Sequence, residues 1–245
     1  MYEVGGKVRD EILGLKSKDV DYVAVPNEEL LSTIKKASDM FKVLNDYLIT
    51  EKFDIFLVTE DCYTIRAKFP KDHKYEGVAD FVLSRKEVGY IPGTRTPIVE
   101  PGTLYDDLSR RDATLNALAK DDDGTIIDLF NGIEDLRKGV LRTPLDPIKT
   151  FDDDCLRIIR FLRFSITKGF KIETNCIEVM KNYDYDSKMF VISGERIREE
   201  LYKCFKFDTL KTILILNEFP TLRDYVFKRV FADKNPLWLK PTFEL

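Results

Sequence analysis

The stretch VGGKVRDEILGLKSKDVDYVAV, residues 4–25, combines a glycine turn with a strand that carries two aspartates. Asp19 and Asp21 alternate with apolar residues, and residues two apart in a strand point to the same face of a sheet. The strand is largely apolar, and buried carboxylates need a partner or a metal ion. Two carboxylates on one rigid strand, with coordination positions left for phosphate oxygens, are typical of Mg²⁺ binding. We therefore predict that Asp19 and Asp21 bind Mg²⁺.

Upstream of that strand, Gly5 and Gly6 lead into a short amphipathic segment. A glycine turn at the start of a helix lets backbone N–H groups approach a phosphate. Arg9 lies one helical turn further on, where a guanidinium group can bind a triphosphate through two hydrogen bonds. Taken alone, Gly5 and Gly6 could form a plain turn. The two aspartates, taken alone, could lie on a solvated edge strand. Together, the turn and the aspartate strand indicate nucleotidyl transfer.

A third carboxylate is expected where two metal ions assist an in-line phosphoryl displacement. The candidate is Asp80, in the apolar strand sequence VADFVL at residues 78–83. An acid on an edge strand is the alternative. Phosphoryl transfer depends mainly on positioning and charge neutralisation, and the single histidine, His73, lies in a polar turn sequence. Histidine-dependent hydrolysis is therefore not expected.

The segment RRDATLNALA, residues 110–119, has a helical pattern. In a helix Asp112 and Asn116 would share a face. Arg111 could then contact a phosphate, and Asp112 could accept a hydrogen bond from a ribose hydroxyl. A helix cap with a salt bridge is the simpler alternative for this segment on its own.

The segment DDCLRIIRFLR, residues 153–163, repeats arginine at every third position. Arg157, Arg160 and Arg163 form a stripe along the predicted helix, and Asp154 lies three residues before the first of them. An ion-paired helix face is one interpretation, because acids are favoured in a first helical turn. The other is an amino-acid template, in which the aspartate accepts from an exocyclic amine and an arginine donates to ring acceptors of a nucleobase.

Strand and helix patterns mix up to about residue 145, and helical patterns follow from Thr150. We expect one helix from Asn27 to Leu48, a turn-rich loop between Gly89 and Gly102, and a capped helix start at Thr150. We expect no strand after residue 145. These patterns predict an α+β domain with a mixed β-sheet, followed by an all-helical segment.

The composition of the 245 residues, 44% hydrophobic with a net charge of −4, is typical of a globular protein. The negative charge restricts any RNA-binding surface to a local stripe. No apolar segment reaches the roughly 18 residues that cross a bilayer, so membrane association is not expected. The start of the chain carries no targeting signal, and the four cysteines are far apart in sequence. We therefore expect a cytoplasmic protein with reduced thiols.

These motifs, in this order, resemble those of the class II tRNA nucleotidyltransferases (CCA-adding enzymes) and the related bacterial poly(A) polymerases. GGKVRD followed by DVD resembles their catalytic motif, RRD through NA their ribose-selecting motif, and DDCLR their nucleobase-selecting motif. The segment 128–142 resembles their head-to-neck connection, and 195–201 the motif that braces the neck. One departure is Asp153, where the family has a glutamate.

The resemblance implies a nucleotidyltransferase head at residues 1–145, a nucleobase-selecting helical neck at 146–207 and a short helical RNA-binding region at 208–245. It implies Mg²⁺ as the cofactor, bound by Asp19, Asp21 and Asp80. The nucleotide contacts that it implies are Gly5, Gly6, Arg9, Arg111, Asp112, Asn116, Asp154, Arg157, Arg160 and Arg163.

The implied activity is template-independent addition of C and A to tRNA 3′ ends, with ATP and CTP as substrates and tRNA as the partner. A poly(A) polymerase or an A-only adding enzyme of the same family is the first alternative. The second is a non-catalytic RNA-binding module, against which the three predicted acids argue. The sequence leaves open the range of tRNAs and whether the protein is a homo-oligomer.

Overall fold

A computed structural model describes residues 1–16, 20–91 and 97–232 of the chain. The chain divides into two compact units, Met1–Leu136 and a second that begins at Arg137. The sequence patterns put this boundary near residue 145. It falls earlier because Val140–Leu141 pairs with Lys171–Ile172, which belongs to the second unit.

The first unit is built on a seven-stranded mixed sheet, as the sequence predicts. The strands of this unit are β1 (Tyr2–Val4), β2 (Val20–Ala24), β3 (Asp54–Thr59), β4 (Thr64–Lys68), β5 (Val78–Leu83), β6 (Arg85–Tyr90), β7 (Pro97–Pro101), β8 (Leu118–Lys120) and β9 (Ile126–Asp128). Across the sheet their order is β3-β4-β5-β2-β1-β8-β9, while β6 and β7 form a separate hairpin. β2 and β5 run parallel, and the other neighbours are antiparallel. The centre of the sheet is therefore the β5-β2-β1 group.

Five helices accompany the described strands, the last of them crossing into the second unit: α1 (Gly6–Ile12), α2 (Glu28–Thr33), α3 (Ala37–Thr50), α4 (Leu104–Ser109) and α5 (Gly132–Lys138). On α3, Leu44 and Leu48 share a buried cluster with Ile65 of β4 and Phe81 of β5. Tyr22 of β2 stacks on Phe81, with ring centroids 5.1 Å apart. This packing fixes which face of β2 and β5 is turned towards α3.

The helix expected from Asn27 to Leu48 is two helices, α2 and α3, so that prediction is wrong. The chain is extended at Ile34 (φ −111°, ψ 121°), immediately after α2. The hydroxyl of Thr33 donates to the carbonyl oxygen of Glu29. Such bonds, and β-branched side chains at successive positions, weaken a helix.

Two further predictions for this unit are wrong. The expected loop at 89–102 contains β7, which forms a hairpin with β6; residues 92–96 lie outside the described part. The expected helix at 110–119 holds only a 3₁₀ turn, Thr114–Asn116, followed by β8. β8 pairs with both β1 and β9, and these sheet hydrogen bonds outweigh the local helical pattern.

The second unit is mainly helical. Its elements are β10 (Val140–Leu141), α6 (Pro147–Asp153), α7 (Leu156–Lys168), β11 (Lys171–Ile172), α8 (Thr174–Asn182), α9 (Tyr185–Lys188), α10 (Gly194–Phe207), α11 (Thr209–Glu218) and α12 (Pro220–Ala232). On α7 the fully buried side chains include Ile158, Ile159 and Phe161. Within the part of the chain that the structure describes, no helix is both long and apolar enough to cross a membrane.

Two predictions for the second unit are corrected. The expectation of no strand after residue 145 is wrong, because β11 forms a short parallel pair with β10. The helix start expected at Thr150 is also wrong, since this residue is buried within α6. The helix is capped by Asp146, whose side chain accepts hydrogen bonds from the N–H groups of Ile148 and Lys149. Pro147, at the first helical position, fits there because it lacks an N–H group.

Candidate active site

Two of the three predicted acids lie side by side at the centre of the sheet. β2 and β5 are parallel, and Asp21 and Asp80 are directly opposite each other in register. Their chain neighbours Tyr22 and Phe81 pack towards α3, so the carboxylates lie on the other face. Asp19 lies outside the described residues, two positions before Asp21. Neighbouring strands are about 5 Å apart, and carboxylates at this spacing fit one or two divalent cations.

Asp80 has a cationic partner that the sequence did not indicate. Arg66, directly opposite it on β4, makes a two-point ion pair in which Nε–Oδ1 and Nη2–Oδ2 are both 2.6 Å. The pair offsets one negative charge next to Asp21. Among the described residues, no group of three histidine, cysteine or acidic side chains could hold a metal ion. The predicted set depends on Asp19, which is not among them.

The glycine turn lies directly beside Asp21. Gly5 has φ +74° and ψ −133°, a conformation that side chains disfavour. A Cβ atom there would be 2.8 Å from Nη1 of Arg111 and 3.8 Å from Oδ2 of Asp21. The N–H of Gly5 donates to the carbonyl oxygen of Leu118, 3.1 Å away, and α1 begins at Gly6. The turn therefore brings bare backbone between a carboxylate and a guanidinium group.

Three predicted nucleotide contacts form one buried hydrogen-bonded chain behind the turn. Arg9 donates from Nη1 to Oδ1 of Asn116, and Asn116 donates from Nδ2 to Oδ1 of Asp112, 2.8 Å away. All three residues are less than 9% exposed. The predicted proximity of Asp112 and Asn116 is correct, although a 3₁₀ turn rather than an α-helix produces it.

Arg111 is held by a buried carboxylate that sequence reasoning missed. Asp107 of α4 is fully buried; its Oδ2 accepts from Nη2 of Arg111 at 2.9 Å, and its Oδ1 accepts from Arg110. Burial opposes ionisation of this carboxyl, but the two guanidinium groups outweigh it and lower the pKa of Asp107. The available signal was an acid three and four residues before two arginines, a spacing that brings side chains together on a helix.

In the second unit, Asp154 and Arg157 lie at the junction of α6 and α7. Asp154 follows the last residue of α6, and its Oδ1 accepts from the N–H of Leu156 at 3.2 Å. Arg157 donates from Nη1 to the carbonyl oxygen of Thr150, 2.8 Å away. These bonds fix both predicted base-reading residues at one helix junction.

The other two arginines of the stripe pack against an aromatic ring. The guanidinium carbons of Arg160 and Arg163 lie 5.6 Å and 4.3 Å from the ring centroid of Phe164. Arg163 also donates from Nε to Glu200 of α10. Burial opposes ionisation of Glu200, but Arg163 and Lys203 outweigh it and lower the pKa of this carboxyl. Arg163 thus joins α7 to α10. The contacts of Arg160 and Arg163 with a nucleotide stay a prediction.

Comparison with known proteins gives consistent matches. Residues 1–142 match the family model described as the poly A polymerase head domain. The multifunctional CCA protein of Nitrosomonas europaea is 34% identical over 206 residues, 82% of this chain and 43% of that protein. The CCA-adding enzyme of Bacillus stearothermophilus, solved with CTP, matches with a TM-score of 0.62 and 28% identity, over 84% of this chain and 44% of that one.

A tRNA nucleotidyltransferase solved with a primer tRNA and an incoming ATP analogue matches with a TM-score of 0.67 and 27% identity, over 91% of this chain and 58% of that one. The chain thus spans about half the length of the proteins it matches. The predicted fold and family are confirmed. Because the family model covers 142 of its 245 residues, the protein belongs to the poly A polymerase head-domain family.

Proposed function

We propose that this protein is a template-independent RNA nucleotidyltransferase that adds C and A residues to tRNA 3′ ends, with CTP and ATP as substrates. The observation that carries the proposal is the pairing of Asp21 with Asp80 on adjacent strands, beside the Gly5 turn and Arg111. The matches to a CTP complex and to a complex with primer tRNA and an ATP analogue support it.

Mg²⁺ is the proposed cofactor, with Asp19, Asp21 and Asp80 as its ligands. Two carboxylates from neighbouring strands suit this ion, which prefers oxygen ligands and keeps positions for water and phosphate. When bound, Mg²⁺ would neutralise phosphate charge and assist the attacking hydroxyl. The two-point bond from Arg66 orients the Asp80 carboxylate on the same face of the sheet as Asp21.

The triphosphate is proposed to lie against the turn at Gly5 and Gly6, where the backbone carries no side chains of its own and Arg111 lies close by. Arg111, oriented by Asp107, would bind the phosphates from one side of the turn. The buried chain from Arg9 to Asn116 and Asp112 would set the position of the sugar. Each group is fixed before substrate arrives, which lowers the entropic cost of reaching the reactive geometry.

In the helical unit, Asp154 and Arg157 are the proposed base-reading pair, with Arg160 and Arg163 as further nucleotide contacts. The proposed subdivision is a neck at residues 146–207 and an RNA-binding region at 208–245. The proposed location is the cytoplasm, consistent with four free cysteine thiols.

The test uses the full chain with Mg²⁺, a tRNA lacking its three 3′-terminal nucleotides, and each labelled NTP in turn, followed by sequencing of the product. The proposal predicts incorporation of C and then A, and no incorporation of G or U. Incorporation of A alone, or a long A tail, would replace it by an A-adding enzyme or a poly(A) polymerase. RNA binding with no incorporation would leave a non-catalytic RNA-binding module.

A further inference from the structure

The face of the sheet that carries Asp21 and Asp80 continues over β4 and β3 as an open cleft of about 330 Å³. Besides the two acids, Arg66 and Phe56 line it. The side chain of Arg66 is 47% exposed, and Phe56 is 57% exposed. A large exposed aromatic ring beside a guanidinium group and two catalytic acids suits a ligand that is both flat and anionic.

A bulge in the edge strand explains why Phe56 lines this cleft. The ladder between β3 and β4 shifts register between Ile55 and Leu57. Ile55 lies opposite Ala67 on the face that packs on α3, whereas Leu57 lies opposite Arg66 on the face of the acids. A bulge adds one residue to one strand and re-aims side chains at that point. Phe56 is that extra residue.

Sheet order decides which part of the reaction this cleft serves. β2 has β1 on one side and β5 on the other. The Gly5 turn follows β1, so the proposed triphosphate site lies on the β1 side of Asp21, while Arg66 and Phe56 lie beyond β5. In phosphoryl transfer the attacking and leaving oxygens lie roughly in line across the phosphorus. With pyrophosphate leaving on the β1 side, the attacking hydroxyl must come from the β5 side.

We propose that this cleft binds the 3′-terminal nucleotide of the acceptor RNA, with its base stacked on Phe56 and its phosphate bound by Arg66. The inference rests on the proposed function, because it takes the RNA 3′-hydroxyl as the nucleophile. Base stacking on an aromatic ring tolerates any base, which suits an acceptor whose terminal residue changes as the chain grows. The side chain of Arg66 stays accessible to solvent while it pairs with Asp80, and a guanidinium group suits recognition of a phosphate.

The test compares Phe56→Ala, Phe56→Trp and Arg66→Gln with two matched controls. Val58→Ala removes an exposed apolar side chain from the same strand, and Lys42→Gln removes a charge from α3 on the other side of the sheet. For each variant, KM for CTP, KM for the RNA, and RNA affinity by fluorescence anisotropy are measured. The RNAs are identical except that one ends in an abasic nucleotide.

Phe56→Ala is expected to raise KM and Kd for the intact RNA about tenfold, the scale of one lost base stack. KM for CTP should stay within about twofold, and Phe56→Trp should restore RNA binding. The abasic RNA should bind the wild type and Phe56→Ala equally, because the stacked base is missing from both complexes. Arg66→Gln should weaken both RNAs, and neither control should change RNA binding.

Equal weakening of the intact and abasic RNAs by Phe56→Ala would overturn the stacking role. A rise in KM for CTP alone would assign the cleft to the incoming nucleotide and overturn the proposal. Failure of the proposed function is a separate outcome: the wild type would incorporate no nucleotide. In that case the anisotropy measurements would still test the cleft assignment. Weaker binding of the intact RNA alone by Phe56→Ala would support it, and equal weakening of the intact and abasic RNAs would overturn it.

Discussion

Each unit of the molecule contains a buried carboxylate that orients an arginine. In the first unit Asp107 binds Arg111 and Arg110, which follow it by four and three residues. In the second unit Glu200 binds Arg163, which lies 37 residues earlier in the chain. Both carboxyl groups have lowered pKa values because their cationic partners outweigh the effect of burial.

The difference lies in what each arginine contacts. Arg111 reaches the bare backbone at Gly5, where we propose that phosphate binds. Arg163 packs on the ring of Phe164 and links two helices. The same chemical arrangement therefore holds an arginine at the proposed phosphate site in the first unit, while in the second it links two packed helices. Substitutions in the two units should separate these roles.

The largest effect is expected at Asp21, in the first unit. Asp21→Asn should abolish nucleotide incorporation, because two-metal chemistry leaves no other acid at this position. Thermal unfolding should show little loss of stability, since the change removes negative charge next to Asp80. The matched control is Asp152→Asn in the second unit, whose exposed carboxylate pairs with Lys188 and whose loss should leave incorporation unchanged. Turnover near the wild-type rate in Asp21→Asn would exclude the catalytic assignment.

The next prediction compares substitutions of the two buried carboxylates, Asp107 and Glu200. Asp107→Asn should lower the free energy of unfolding by about 3–5 kcal/mol, the usual cost of breaking a buried ion pair. It should also raise KM for CTP and ATP, because Arg111 loses its orientation. Glu200→Gln should cost about 1.5–3 kcal/mol, as for a hydrogen bond to a charged group, with a smaller change in KM.

Urea unfolding and steady-state kinetics measure both quantities. Asp46→Asn, an exposed acid on α3, is the control and should change stability by less than about 0.5 kcal/mol. The comparison fails if Glu200→Gln raises KM for the nucleotides more than Asp107→Asn does.

Local periodicity accounts for the parts of this structure that the sequence could predict. Alternation along a strand predicts that Asp21 and Asp80 each lie on the face opposite their apolar neighbours Tyr22 and Phe81, whereas the parallel register of β2 and β5 that makes the two acids neighbours is known only from the structure. A spacing of four residues brings Asp112 to Asn116 even though the expected helix is absent. The face on which each acid lies, and the contact between Asp112 and Asn116, depend only on residues close together in the chain.

Several features that sequence reasoning missed depend on long-range pairing. Arg66 meets Asp80 only because β4 and β5 align with a particular register. Glu200 meets Arg163 only because α10 packs on α7. The segment 110–119 has a helical pattern, but its end becomes β8 because β1 and β9 flank it on both sides. Sequence spacing carries no information about such partners.

A smaller effect concerns nucleotide choice at the junction of α6 and α7. Arg157→Ala should reduce kcat/KM for both CTP and ATP, because it removes shared contacts to ring acceptors. Asp154→Ala should instead relax selection against UTP, which has an acceptor where cytosine has an amine. Loss of a good base contact costs about 1–3 kcal/mol of discrimination. Lys181→Ala, an exposed cation on α8, is the control.

A simple helix-surface ion pair between Asp154 and Arg157 predicts a different result. Breaking such a pair costs only about 0.2–0.5 kcal/mol and leaves the choice of nucleotide unchanged. Measuring kcat/KM for all four NTPs on both variants separates the two possibilities. Unchanged ratios among the nucleotides would remove both residues from the base-reading role.

The smallest effect is the acid dependence of stability, which sharpens the comparison between Asp107 and Glu200. In the unfolded chain, the carboxyl groups of Asp and Glu titrate at about pH 4. A carboxyl whose folded pKa is lowered stabilises the protein above that pH, and this contribution is lost as the pH falls through the folded pKa. Both carboxyl groups have lowered pKa values, so stability should fall as the pH drops below about 5.

Removing either carboxyl should flatten that dependence, because the variant has one fewer group to protonate. Asp107→Asn should flatten it more than Glu200→Gln, since Asp107 is fully buried between two arginines, whereas one partner of Glu200, Lys203, is 53% exposed. Free energies of unfolding in urea at several pH values measure the slopes. If Glu200→Gln removes more of the acid dependence than Asp107→Asn, the helical unit holds the stronger ion pair, and the order proposed for the two units is reversed.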